Sequence, residues 1–149
     1  MKITNRKFHR EYEELEKYET GIVLSGAEVK SIRAGRIRLD DSFVKIIGSE
    51  AYLINAEIQV YQYSRLLGYD SKRTRKLLLH KAELVRLKTK LSSGSRLTIA
   101  PVSCYNKHGL IKLEIALCKP RKEIGKKKLE KARDIKREEE KKIKEYLKS

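Results

Sequence analysis

No run of apolar residues approaches the roughly 18 needed for a membrane helix, and the opening Met1-Lys2-Ile3-Thr4-Asn5 has no apolar signal segment. A soluble, cytoplasmic chain with no membrane partner is expected. Cysteine is scarce, and the two present, Cys104 and Cys118, fall toward opposite ends of two neighbouring strand patterns, too far apart for a disulfide. They read as small buried hydrophobes. The three histidines, His9, His80 and His108, have no metal-ligand spacing with either cysteine, so no zinc site and no other metal is expected. Asp40-Asp41 could be imagined as a nuclease metal pair, but adjacent acids before a strand are more naturally turn formers. There is no Gly-rich phosphate loop ending in Lys-Ser/Thr and no Gly-x-Ser-x-Gly elbow. The chain therefore reads as a non-enzyme, with no catalytic residues and no cofactor.

What is abundant is positive charge. The 149 residues carry 36 Lys and Arg against 20 Asp and Glu, a formal net charge of +16. Both the first 118 residues and the remainder are basic. A field of this size attracts polyanions, nucleic acid first and an anionic membrane surface second.

The organising stretch runs from Gly21 to Gly35, where β-forming Ile22-Val23-Leu24 gives way to Ser25-x-x-Glu28, a capping box that starts a helix. Lys30 and Arg33 lie toward its end, and Gly35 stands where a left-handed cap is cheapest, so the helix is about two turns long. Before it, Phe8, Tyr12, Leu15, Tyr18 and Ile22 recur every three to four residues, which by period alone predicts a helix over 8–19. After it, Phe43–Ile47 and a strand from Ala51 running on to Ile58 form a hairpin around Gly48. Residues 61–76 read as a basic loop bearing Tyr61, Tyr63 and Tyr69, better suited to packing than to base stacking. Leu84, Leu87 and Leu91 mark a second helix ending at Ser92-Ser93-Gly94. Residues 96–105 and the strict alternation of Ile111, Leu113, Ile115 and Leu117 give the clearest strands, with a change of parity at Pro101 that predicts a bulge. The sum is a mainly β fold: a small antiparallel barrel with two inserted helices.

From residue 119 the composition changes. The segment 119–149 holds 14 basic and 7 acidic residues, with Glu138/Lys142 and Glu140/Lys144 at helical i, i+4 spacing. Its apolar stripe reads as too thin to dock on a core, so a conditional helix is expected, one that orders on a phosphate-lined surface. The same thin stripe argues against an anionic-membrane binder. Two units follow: a nucleic-acid-binding barrel over 1–118 and a basic tail over 119–149.

The assembled motifs closely resemble the small protein B family, the SsrA-binding proteins. The resemblance is carried by Asn5-Arg6-Lys7, the whole of Gly21–Gly35, Asp41-Ser42-Phe43, and Arg73-x-Arg75-Lys76-Leu77-Leu78-Leu79-His80-Lys81, in order across most of residues 5–118. It implies an oligonucleotide-binding-type barrel and makes residues 8–19 a strand, against the period count. It implies binding of the tRNA-like domain of transfer-messenger RNA and delivery of that RNA to the vacant A site of stalled ribosomes. The body would substitute for the codon–anticodon helix and the tail would probe the empty mRNA channel, the protein acting as a monomer in complex with RNA. The implied RNA contacts are Asn5, Arg6, Lys7, Glu28, Lys30, Ser31, Arg33, Arg73, Arg75, Lys76, His80 and Lys81, joined by Arg10, which stands where the family usually has histidine. Glu28 alone could instead serve only as a cap, and Lys30 and Arg33 as solvated charges. On the tail, Arg121, Lys122, Lys126, Lys127, Lys131, Arg133, Lys136 and Arg137 would meet ribosomal phosphates, as a helix up to about 45 Å long. The usual tail elements survive only as Pro120-Arg121-Lys122 and Gly125-Lys126-Lys127, Ala27 replaces threonine, and Asp70-Ser71 replaces Asp-Pro. A structural ribosomal-RNA-binding protein is the alternative, sharing the basic barrel and tail.

Overall fold

The computed structural model describes residues 1–59, 68–121 and 126–148. Along the chain lie β1 (Lys2–Thr4), α1 (Phe8–Glu11), β2 (Tyr12–Ile22), α2 (Gly26–Arg33), β3 (Ile37–Arg38), β4 (Phe43–Ile47), β5 (Glu50–Ile54), β6 (Glu57–Ile58), β7 (Arg75–Leu78), α3 (Lys81–Leu91), β8 (Thr98–Lys107), β9 (Leu110–Pro120) and α4 (Lys126–Lys148). Strands β8, β4, β5, β7, β2 and β9 pair antiparallel in that order, and β9 pairs back onto β8, closing the ring. Closure removes the unpaired edges that a small sheet would otherwise expose. β1 extends the ring on β8, while β3 and β6 form a separate two-stranded ladder.

Alternation along the strands fills the barrel. Val44, Leu53, Leu77, Ile99, Leu113, Ile115 and Leu117 point inward, and Ile32 of α2 and Leu87 of α3 join them from the two helices. The expected bulge falls between Pro101 and Ser103 of β8. His108 and Gly109, with φ of 51° and 79°, form the two-residue loop that joins β8 to β9, as a type I′ hairpin requires.

Residues 8–19 correct the period count. Only Phe8–Glu11 are helical, and Tyr12 begins an 11-residue strand. The register of β2 against β9 slips between Glu14 and Glu16, so Leu15 is an extra residue. That insertion puts the alternation before and after it out of phase, which gives Tyr12, Leu15 and Tyr18 a helix-like spacing on a strand. The strand from Ala51 also ends earlier than expected: Asn55 sits at φ 66°, and Glu57–Ile58 leave the barrel to pair with β3.

The expected boundary at residue 118 falls inside β9, which continues to Pro120 opposite Tyr12, and the Arg121 amide donates to Glu11 O. The tail is the larger correction. It is a 23-residue helix, and its C-terminal half docks on the barrel, with Ile143 fully buried against Tyr52 and Ile54. The stripe suffices because its seat is apolar too: Ala51 and Leu53 face inward, which leaves Tyr52 and Ile54 on the outer face of β5 beside Phe43 and Ile47 of β4. Cys104 and Cys118 are buried free thiols, pushed up to about 12 by burial.

Candidate nucleic-acid interface

The capping box forms as its sequence dictates. Glu28 N donates to Ser25 Oγ at 3.2 Å, Ser25 N donates to Glu28 Oε1 at 2.9 Å, and Gly35 takes φ 79° just beyond the helix. Glu28 does more than cap. It is 1% exposed, and its second oxygen receives Arg75 Nε at 2.9 Å, while Oε1 also receives Arg73 Nη2 at 2.6 Å. Arg75 is wholly buried and donates onward to Ala56 O at 2.7 Å and Ser71 O at 3.0 Å. The Tyr69 hydroxyl completes the cluster, 2.9 Å from Ile58 O and 3.2 Å from Glu28 Oε2. Burial alone would raise the Glu28 pKa; the Ser25 amide and the two guanidiniums overcome this and hold it at about 2. One carboxylate thus ties α2 to β6, β7 and the 68–74 turn.

Four of the sequence candidates lie indoors. Asn5 is 4% exposed, donates through Nδ2 to Pro101 O at 2.9 Å, and accepts from Lys7 N through Oδ1. Ser31 is fully buried and donates to Gln59 O at 2.8 Å. With Glu28 and Arg75, their polar atoms are engaged by protein. A buried polar group left without such partners would cost about 1–3 kcal/mol, which is why these side chains point in.

The remaining body candidates lie at the surface in three groups. Around α2 stand exposed Lys30 and Arg33 and half-buried Arg73, and Arg33 Nη2 donates to Gly109 O at 3.0 Å. Around α1 stand exposed Arg6 and Arg10 and partly covered Lys7, which lies 3.6 Å from Asp41; Arg121 joins them, donating from Nε to His9 O at 3.0 Å. Lys76, paired with Glu50 at 3.4 Å, and exposed His80 and Lys81 follow one another from β7 into α3. Strand β2 separates the first two groups, with α1 at its start and α2 at its end, along about 35 Å of extended chain.

On the tail, Lys136 and Arg137 are exposed. Lys126, Lys127, Lys131 and Arg133 belong to α4 by backbone, whereas Lys122, like Tyr61 and Tyr63, lies outside the described residues. Among the described residues no group of three His, Cys, Asp or Glu side chains could hold a metal ion, and no helix is long and apolar enough to cross a membrane. Two features escaped sequence reasoning: the Tyr69 hydroxyl in the Glu28 cluster and the docking of α4. The signal for the second was present in Ala51-Tyr52-Leu53-Ile54, four consecutive apolar residues, the mark of a strand covered on both faces.

Comparison with known proteins bears on the assignment. The model of the SmpB protein family matches residues 2–145. The chain is 47% identical over 145 residues to the SsrA-binding protein of Sulfurihydrogenibium sp. (strain YO3AOP1), covering 97% of this chain and 95% of the relative. It is 45% identical over 152 residues to the SsrA-binding protein of Thermosipho africanus (strain TCF52B), covering 99% and 98%. Among solved structures it is similar to a chain in "tmRNA-SmpB: a journey to the center of the bacterial ribosome", with a TM-score of 0.68, 40% identity, and coverage of 84% of this chain and 87% of that one. None of these descriptions names a catalytic activity.

Proposed function

The chain belongs to the SmpB protein family, and from that membership we propose that it binds transfer-messenger RNA and brings it to stalled ribosomes for trans-translation. It works in the cytoplasm and makes and breaks no covalent bond. The observation that carries the mechanism is the separation of exposed cations to the two ends of β2. The α2 end, with Lys30, Arg33 and Arg73, takes the tRNA-like domain, whose folded surface is recognised through phosphates and 2′-hydroxyls. Glu28, Arg75 and Ser31 act there by holding α2 and the 68–74 turn in place. The α1 end, with Arg6, Lys7 and Arg10, faces the decoding site, where a guanidinium can stack on an exposed base and the body substitutes for the codon–anticodon helix. Lys76, His80 and Lys81 extend this phosphate-facing surface along the side of the barrel. The 23 residues of α4, about 34 Å of helix, probe the empty mRNA channel through Lys136, Arg137 and the basic residues before them.

The reading is tested by recovering the RNA that co-purifies with the protein from cells. Enrichment of transfer-messenger RNA over ribosomal RNA is expected; equal recovery of ribosomal RNA fragments would favour a structural ribosomal-RNA-binding protein. Lys30→Ala and Arg33→Ala should each weaken binding and lower the salt slope by about one. An unchanged salt slope in both variants would remove α2 from the interface.

A further inference from the structure

Helices α2 and α3 meet opposite ends of the barrel. Arg33 of α2 donates to Gly109 O, just before β9 begins, whereas Arg86 of α3 donates from Nε and Nη2 to Glu16 at 3.1 and 2.7 Å. Glu16 stands across from Leu117, about 24 Å further along β9. Strand β5 agrees: Lys88 of α3 donates to Gly48 O just before it, and Ala56 O just after it accepts from Arg75, the partner of Glu28 in α2. Glu16 also falls in the first half of β2, toward α1.

The face that α3 turns away from the barrel is positive. Leu84, Leu87 and Leu91 pack into the core, so the helical period puts exposed Ala82, Val85 and Thr89 on the opposite face. Lys81 and Lys88 line one edge of that face, and Arg86 and Lys90 line the other. Val85 at its centre is 58% exposed. From Lys81 to Arg96 the chain carries five cations and one carboxylate, Glu83, whose Oε1 accepts from His80 N at 3.1 Å. Strand lysines elsewhere have acids beside them: Lys17 has Glu14 and Glu114, Lys107 has Glu19, and Lys76 has Glu50. Lys81, Lys88, Lys90 and Arg96 form no ion pair among the described residues.

Charge of one sign along both edges of a low crest is complementary to two parallel lines of the opposite charge. An A-form RNA duplex has that form, with a wide, shallow minor groove that displays 2′-hydroxyls between its phosphate strands. We propose that the outer face of α3 docks on a ribosomal RNA duplex, with Val85 and Thr89 toward the minor groove and Lys81, Lys88, Lys90 and Arg96 on the phosphates. Arg86 is engaged by Glu16 and fixes the helix to β2. The inference rests on the proposed function, which puts the tRNA-like domain at α2 and leaves the α3 end of the body to the ribosome.

Cys104 and Cys118 are buried, so Thr89→Cys in the full-length protein offers one exposed thiol for an iron chelate whose hydroxyl radicals cut nearby RNA. On stalled ribosomes, cuts are expected in both strands of a ribosomal RNA duplex. Cuts confined to transfer-messenger RNA, or none in any RNA, would overturn the proposal. Lys88→Ala, Lys90→Ala and Arg96→Ala combined should leave affinity for free transfer-messenger RNA unchanged, weaken binding to stalled ribosomes about tenfold and lower its salt slope by about three. Position 85 separates charge from shape, because it is exposed and neither substitution disturbs the core. Val85→Glu should weaken ribosome binding, and Val85→Lys should keep or strengthen it. Equal losses from both would assign the face to an apolar protein contact and overturn the RNA reading, as would lost affinity of the triple variant for free transfer-messenger RNA. The two claims fail separately: cuts in ribosomal RNA from position 89 by a protein that carries no transfer-messenger RNA would keep the α3 contact and sink the proposed function.

Discussion

At the α2 end of the barrel a buried carboxylate is met by donors on both oxygens, while at the α4 seam a second carboxylate, almost as deeply buried, has one oxygen that meets none among the described residues. Glu28 receives two arginines, a backbone amide and the Tyr69 hydroxyl, and its pKa sits at about 2. Glu139 is raised to about 7, first by burial and then by Glu138, against the pull of Lys142 and Lys45. The same residue type thus fastens one region and loosens the other. The first fits the work proposed for it: a surface that reads a folded RNA by shape must hold its geometry.

The largest break in this comparison comes from Arg75→Leu, which strips Glu28 of its buried partner and removes the guanidinium that donates to Ala56 O and, beside the Ile58 amide, to Ser71 O. Removing one member of a buried pair costs about 3–5 kcal/mol, so denaturant unfolding should show a lower midpoint with RNA affinity lost in parallel. Arg73→Leu, at a half-exposed position, should cost about 1 kcal/mol or less. Equal losses in the two variants would mean that burial of Arg75 is not what fixes the cluster.

Acid tests the same cluster. A carboxylate held at about 2 against an ordinary 4.5 contributes stability that is present above about pH 4.5 and fades as pH falls through 2. That contribution is about 3 kcal/mol in all, and Glu28→Gln should flatten the acid limb of the unfolding curve by a similar amount. An acid limb as steep in the variant as in the parent would place the responsible carboxylate elsewhere.

These two regions also differed in how far the sequence disclosed them. Ser25, Glu28 and Gly35 act on neighbours within a turn, so α2 and its limits were legible from spacing alone. Arg75 was not, because a run of Arg and Lys reads as a surface loop until Ala56 O, Ser71 O and Tyr69 are known to surround it; nothing local distinguishes a buried arginine from an exposed one. Leu15 misled for a related reason, since a bulge is a property of two strands and only one was being counted. The α4 stripe looks thin on the helix alone, whereas its adequacy depends on Tyr52 and Ile54, far away in sequence. The surface cations at both ends of β2 were found by resemblance and charge, and their sorting into two groups needed the barrel.

Third in size is Ile143→Ala, which should release the end of α4 and leave the barrel intact. Truncating a buried isoleucine costs about 2 kcal/mol or more, all of it in docking. Exchange over 138–147 should therefore rise more than tenfold while the unfolding midpoint of the barrel stays within error. A matching fall in barrel stability would show that α4 is part of the core and not a removable layer.

The smallest effect is the most diagnostic, because it has the opposite sign. Glu139→Gln keeps the shape of the side chain and deletes the charge whose Oε2 has no donor among the described residues, so it should tighten docking where Ile143→Ala loosens it. The pH sign follows from the raised pKa. Below about 4.5 the carboxyl is neutral whether docked or free, and docking carries no charge penalty. As pH rises toward about 7 the free tail ionises while the docked one resists, so docking weakens, and above that the penalty is constant. Exchange over 138–147, corrected for intrinsic rate and followed from about pH 5.5 to about pH 7.5, should show protection falling in the parent and level in the variant, which gains about 1 kcal/mol at the upper end. Lys45 from β4 and Lys142 on the helix are common to both proteins, so the difference between them isolates position 139. Protection that falls equally in parent and variant would assign the pH response to another group, and a variant that docks more weakly at every pH would mean that the Glu139 charge is answered after all.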